Sequence, residues 1–281
     1  MRWTRVLLAC TLLVAAWPQT TAAQNAAAPA QAPEDDPDKD LNESQPDFTL
    51  IGLPTTLRVP RFSSAFRVTH RFLRPLGAGD FGDLADDFFG IDNGAQIGLE
   101  YRFGLMRGLQ VGLHRTSDKT IKFFTQYSLL QQREGGMLGL DVVASIDGTN
   151  NFKDSYTPAI GVAVSREFGS HGAVYVEPMW VNNSNQLPSE LTDDNDTFAI
   201  GLGARVRIRP TVYLVGEILP RIGYDPGVNH ASFAIEKRAG GHVFQLNFSN
   251  GFGTTMGQLA RGGTSNDDWY MGFNISRKFF R

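Results

Sequence analysis

The chain has 281 residues, 42% of them hydrophobic, with 30 Gly, 20 Phe, a single Cys and a formal net charge of -3. Its longest apolar stretch, Val6 to Trp17, is 12 residues, short of the roughly 18 that a membrane-crossing helix needs, so a helical polytopic membrane protein is excluded. One cysteine cannot build a zinc or disulfide framework, and the aromatic content excludes collagen-like and wholly disordered chains.

The chain opens on Arg2 and Arg5, passes through that apolar stretch and reaches small residues at Thr21 and Ala23. Basic, apolar and small-residue regions in this order predict a secretory signal peptide over 1–23 and an exported remainder without cysteine. Leu7 to Cys10 loosely fits a lipid-attachment motif, but only four residues separate Cys10 from Arg5, too short an apolar region. Residues 24–47 are rich in Ala, Pro, Gln and acid, with Glu34, Asp35, Asp36, Asp38, Asp40, Glu43 and Asp47 against Lys39. That composition predicts a flexible acidic linker, available to a periplasmic partner. The rest, 48–281, carries 23 basic and 22 acidic groups, without the basic footprint that nucleic-acid binding requires.

From residue 61 onward the hydrophobic period is two. Between Arg61 and Arg74, Phe62, Phe66, Val68 and Phe72 alternate with Ser63, Arg67, Thr69 and Arg71, one apolar face and one polar face of a strand. The same split recurs in 95–103, 109–116, 119–132, 138–146, 156–165, 173–181, 197–208, 212–221, 231–237, 242–249 and 269–280. Strand 173–181 is the least regular, because Tyr175 and Met179 share a face with Glu177. Twelve strands result.

Alternation alone does not say which face is wet. A soluble sandwich buries its apolar face, whereas a membrane barrel turns it to lipid. The connections decide. Those after strands two, four, six, eight and ten are tight, while those after one, five, seven, nine and eleven are long, and only Ser117-Asp118 departs from the rule. Sorted loop lengths around an even strand count predict an all-β, transmembrane, antiparallel up-and-down barrel of about 12 strands over 48–281. Tyr101, Tyr156, Trp180 and Trp269 fit aromatic girdles at the lipid headgroups.

The segments Val68-Thr-His-Arg-Phe72, Asp87-Phe-Phe-Gly-Ile-Asp92, Gly94-Ala-Gln-Ile-Gly-Leu-Glu-Tyr101, Leu109-Gln-Val-Gly-Leu113, Arg115-Thr-Ser-Asp-Lys-Thr120 and Gln126-Tyr-Ser-Leu-Leu-Gln131 carry a resemblance. Together they resemble an uncharacterised bacterial family described as a membrane-bound beta-barrel domain, across roughly residues 54–280. The resemblance implies an integral outer-membrane barrel and brings no catalytic residue, cofactor or ligand. Outer-membrane proteins generally tend to end on an aromatic residue; here Arg281 follows Phe280.

Strand parity assigns the lumen-lining residues. They are Arg67, Arg71, Glu100, Arg102, His114, Lys122, Asp141, Glu177, Arg205, Arg207, Glu217, Arg221 and Glu236, with Glu167 and Lys278 on the same face. One reading is a network of ion pairs that stiffens the wall; the other is a water-filled pore for small anionic or zwitterionic solutes. Asp80, Asp83, Asp86, Asp87 and Asp92 in the first long loop, and Asp193, Asp194 and Asp196 in a later one, lack the spacing of a calcium loop and read as solvated charge. Among the histidines only His114, near Ser117 and Asp118, could join a hydrolase triad, and no Gly-x-Ser-x-Gly elbow is present in the exported chain. The sequence therefore points to a porin-like channel in the outer membrane, in contact with lipid and small solutes and without cofactor, metal or enzymatic activity. The alternative is a structural or docking barrel.

Overall fold

Strands that must cross lipid have to pair every backbone group, which forces the sheet to close on itself. The computed structural model, which describes residues 36–185, 195–224 and 227–280, has that closed form. Its strands are β1 (Ser64–Pro75), β2 (Ala95–Met106), β3 (Leu109–Thr116), β4 (Ile121–Leu130), β5 (Gly139–Gly148), β6 (Asp154–Glu167) and β7 (Gly172–Val181). They continue with β8 (Thr197–Arg209), β9 (Val212–Leu219), β10 (Arg221–Ile222), β11 (His230–Ala239), β12 (His242–Ser249) and β13 (Tyr270–Phe279). All pairings are antiparallel and follow chain order, except that β10 pairs with β8 alone and β11 with β9, and β1 pairs with β13 to complete the circle.

β9 and β10 are one stave broken at Pro220. Leu202 pairs with Ile218 and Ala199 with Arg221, so the register runs through the break. Proline lacks the N–H a ladder needs, yet its carbonyl still accepts from the Ile200 N–H at 3.0 Å. The barrel therefore has twelve staves. Strand bounds differ from the sequence reading by a few residues at most.

Register keeps parity constant around the wall, as Val68 shows by facing both Leu99 and Ile275. Phe66, Leu99, Tyr101, Leu113, Phe123, Trp180, Ile200, Leu214, Ile235 and Phe244 stand exposed on the outer face. An apolar belt of this kind matches hydrocarbon, not water. The short connections gather at one end, where Gly108 at φ 79 takes the left-handed conformation of the β2–β3 turn. The long ones gather at the other, with α1 (Phe81–Asp86), the kinked α2 (Thr149–Phe152) and α3 (Met256–Ala260). Ser117–Thr120 is the tight exception at that end, closed by the Thr116 N–H to the Thr120 carbonyl at 2.9 Å.

The start of the described chain departs from the sequence reading. Residues 42–47, expected within a flexible linker, are buried apart from the partly exposed Glu43, and residues 48–60, counted with the barrel, contribute no strand to its wall. Instead the chain before β1 forms a hairpin. Thr49 bridges Pro54, the Leu50 N–H donates to the Leu53 carbonyl at 2.8 Å, and the Thr55 N–H donates to the Phe48 carbonyl at 2.9 Å. Its tip lies at Ile51-Gly52, and both arms return to the short-turn end, where Glu43 meets Arg207 and Arg58 meets Glu134. The reason is that the wall supplies what composition cannot: hydrogen-bond partners for the hairpin main chain and an apolar seat for its Leu and Ile side chains. Expected linker residues 24–35 and the signal segment 1–23 lie outside the described residues.

Candidate functional site: an occupied lumen

The hairpin is held by its main chain. Arg67 Nη2 donates to the Ile51 carbonyl at 2.6 Å, and Arg205 Nη2 to the Thr49 carbonyl at 2.7 Å. Gln245 reaches the Leu50 carbonyl at 2.9 Å, Gln126 the Thr55 carbonyl at 2.7 Å, and Gln131 the Thr56 carbonyl at 3.0 Å. Gln110 donates to the Leu57 carbonyl at 3.3 Å. In the other direction, Glu217 accepts the N–H groups of Ile51, Gly52 and Leu53 at 3.0, 2.9 and 3.1 Å. Three donors on one ionised carboxylate form a charge-assisted cradle, which Ser232 at 3.0 Å completes from the wall.

Wall glycines make room for the hairpin side chains. A Cβ at Gly203 would collide with Leu50, and one at Gly201 would come within 2.8 Å of Leu53 Cδ1. From the long-loop end the lumen is filled by α3, every residue of which is buried. Thr255 caps α3 by accepting from the Gln258 N–H at 3.2 Å, and its hydroxyl bonds Asp147; Gln258 reaches Asp118 at 3.0 Å, and Arg221 donates to the Ala260 carbonyl at 2.8 Å. Leu50, Ile51 and Leu53 join Met256 and Leu259, together with Val143, Tyr175, Met179 and Tyr213 of the wall, in one apolar core inside the barrel. A void between hairpin and wall, lined by Gly52, Glu100, Arg102, Lys122 and Met256 among others, measures about 20 Å³, room for about one water.

The sequence-named residues divide by depth and partner. Glu100 holds Arg102 at 2.8 Å, His114 at 3.3 Å and Lys122 at 3.5 Å, and both cations also stack on Phe124. Arg71 donates to Asn274 at 2.9 Å, Asp141 accepts from Gln126 at 2.6 Å, and Arg205 pairs with Glu236 at 3.0 Å. Glu177 is 2% exposed with neither carboxylate oxygen hydrogen-bonded. Arg207 sits at the short-turn mouth rather than deep inside, paired with Glu43 at 2.8 Å. At the same mouth the hydrogen bond from Arg58 holds the Glu134 carboxyl below the ordinary glutamate range.

Charge is segregated around this wall among the described residues. Lys278, Arg67, Arg71, Arg102 and Lys122 lie on β13, β1, β2 and β4 against Glu100, whereas Asp141, Asp147, Glu177, Glu217 and Glu236 lie on β5, β7, β9 and β11 against Arg205 and Arg221. The sequence reading did not name the neutral donors Gln110, Gln131, Gln245 and Asn274, or Asp147, among the lumen-lining residues. Their signal was parity: each falls on, or next to, the lumen face of its strand, where amides offer more bonds than wall packing needs.

Other constellations are not assembled. His114 faces Glu100, while the Ser117 hydroxyl accepts from the Ile97 N–H at 3.0 Å and Asp118 takes bonds from Thr116, Thr120 and Gln258. Asp80 and Asp83 form the capping box of α1, Asp87 pairs with Arg74 at 2.7 Å, and Asp196 accepts from Asn182 at 2.6 Å. Asp193 and Asp194 lie outside the described residues.

Solved structures with similar folds include porins and an outer-membrane enzyme. The NanC porin superposes with a TM-score of 0.53 at 6% identity, over 78% of this chain and 100% of its own. The KdgM porin gives 0.48 at 6% identity over 78% and 99%, and outer membrane phospholipase A from Escherichia coli gives 0.42 at 12% identity over 84% and 95%. At these identities the likeness is one of fold alone. No curated protein sequence matches the chain. A closed twelve-stave wall with an apolar exterior is the architecture that the matching family's description calls for: matched over residues 47–279, the chain belongs to the family described as "Membrane bound beta barrel domain (DUF5777)".

Proposed function

We propose that the protein is a porin-like outer-membrane channel for small solutes, delivered by Sec-type export and held shut by its own hairpin. The observation that carries this reading is the direction of the wall's hydrogen bonds. A wall built only for rigidity would pair its polar groups with one another; here Arg67, Arg205, Gln110, Gln126, Gln245 and Glu217 bind a segment that the wall tethers only through β1. Withdrawal of that segment would leave a polar, charged lumen.

The Thr56 and Ser165 hydroxyl oxygens lie 2.5 Å apart, so a Thr56→Cys, Ser165→Cys pair can form a disulfide that locks the hairpin to the wall. In planar bilayers the reduced variant is expected to open in discrete steps and the oxidised one to stay silent. Silence in both states, with the barrel folded by heat-modifiable gel mobility, rejects the channel. Docking is the second reading, favoured by a cavity of about 750 Å³ at the short-turn mouth, lined by Asp38, Asp40, Arg58, Arg107, Arg133 and Glu134 among others. Loss of a crosslinked periplasmic partner on Arg107→Glu with Arg133→Glu, at unchanged conductance, would support it.

A further inference from the structure

Recognition of the hairpin tip is almost indifferent to its polar side chains. Between Thr49 and Leu57 the wall reads carbonyls and N–H groups, with the Thr56 hydroxyl at Ser165 the exception, while Leu50 and Leu53 enter recesses at Gly203 and Gly201. Three successive amide donors converge on Glu217, and carbonyls on both arms meet Arg, Gln and Asn donors. Neither a simple ion nor a sugar presents amide donors and carbonyl acceptors in that succession. A polypeptide does at every residue.

A second observation comes from the opposite wall. The Glu177 carboxyl group is buried, its Cβ beside the Gly201 recess that receives Leu53, and neither of its oxygens has a hydrogen-bond partner, an unmade polar contact that an entering donor such as an ammonium group would satisfy. β7, which carries Glu177, stands six staves from β1, on the far side of the barrel from Arg67 and Arg71. The lumen thus offers an acidic side for an ammonium terminus and a basic side for a carboxylate.

We propose that the lumen is a binding site for short extended peptides with apolar side chains, and that the hairpin occupies this site as a built-in competitor. The inference rests on the proposed opening of the hairpin and names the solute class of the same lumen. A free peptide enters when the hairpin is out, takes the Glu217 cradle through consecutive N–H groups, and places its amino terminus at Glu177.

The test uses the full-length Thr56→Cys, Ser165→Cys protein, where the rate of disulfide formation reports hairpin occupancy. A second reporter pair, Asp47→Cys with Ser276→Cys, rests on the 2.8 Å contact between those side chains. The probe is a synthetic peptide with the sequence of residues 48–57 and a free amino terminus. At ten times its Kd it is expected to slow trapping about tenfold. N-methylation at the positions of residues 51–53 should abolish the effect, and amino-terminal acetylation should weaken it as much as Glu177→Gln does, with no further loss when the two are combined. Trapping that is unchanged by peptide in both reporters, and also when the mouth anchor is loosened by Arg58→Ala, overturns the inference. So does an N-methylated peptide that competes equally well. Conductance is read separately on the same protein: gating by the disulfide without peptide competition leaves the channel and removes the peptide site, whereas competition without conductance does the reverse.

Discussion

Two segments fill the lumen from opposite ends, and they are secured differently. The loop carrying α3 is joined to β12 on one side and β13 on the other, and its polar contacts come largely from side chains such as Thr255 and Gln258. Among the described residues the hairpin is joined to the wall through β1 alone, and it is gripped through its backbone. A loop tied at both ends can rearrange but cannot leave. A hairpin joined at one end only, as this one is among the described residues, is the arrangement the proposed gating needs, and its tip at Gly52 rests against Leu259 of α3.

The sharpest way to break this contrast is Glu217→Ala. It strips the acceptor from three buried N–H groups, each costing about 1–3 kcal/mol when left unmade, so trapping by the Thr56→Cys, Ser165→Cys pair should fall by well over tenfold while gel mobility still shows a folded barrel. Trapping close to the parent rate would mean that the cradle does not hold the hairpin. Next in size is Gly203→Leu, which fills the recess that receives Leu50. Overpacking costs about 1–3 kcal/mol, and trapping should drop roughly tenfold together with a gain in open-channel conductance.

Thr255→Ala probes the other side of the comparison. It removes the N-cap of α3 and the bond to Asp147, a loss of about 1 kcal/mol. Hydrogen exchange over residues 250–263 should quicken while hairpin trapping stays within about twofold. Equal loss of both would show that the two fillers act as one unit. The smallest effect is expected from acid. Because Arg58 lowers the Glu134 carboxyl in the folded state, this anchor is fully present above the ordinary glutamate range and is lost as the pH falls through the lowered value. Trapping should soften only at that acid end, and Glu134→Gln should flatten the change; the pair is partly exposed, so the shift is modest.

The wall was legible in the sequence because it obeys a short-range rule. Period-two alternation set the strands, and sorted loop lengths set the two ends. The hairpin was not legible, because nothing local marks it. Residues 36–47 have the composition of a tether, and the groups that order them, Glu167 for Asn42, Ser44 and Gln45, and Ser276 for Asp47, lie more than a hundred residues away. One trace was visible. Tyr175 and Met179 spoiled the polar face of β7, and in the structure they line the apolar core that the hairpin and α3 complete. An apolar residue at lumen parity is the mark of a filled barrel, and there the pattern fails for a physical reason: the interior is partly a protein core. The lumen charges could be placed by parity, but their partners could not, since strand position fixes a direction and not a contact.

The hairpin also bears on the order of folding. Its most distant grips come from Glu217, Gln245 and Asn274, separated from it by 164 to 223 residues along the chain. Contacts that distant form only after β9, β12 and β13 exist and the loop between has been closed, the slowest class of event in a folding chain. The first described segment of the polypeptide is thus among the last to find its place. If the wall closes first, an assembling barrel passes through a stage with a vacant lumen, and the peptide site proposed above would then be open before the hairpin is first seated.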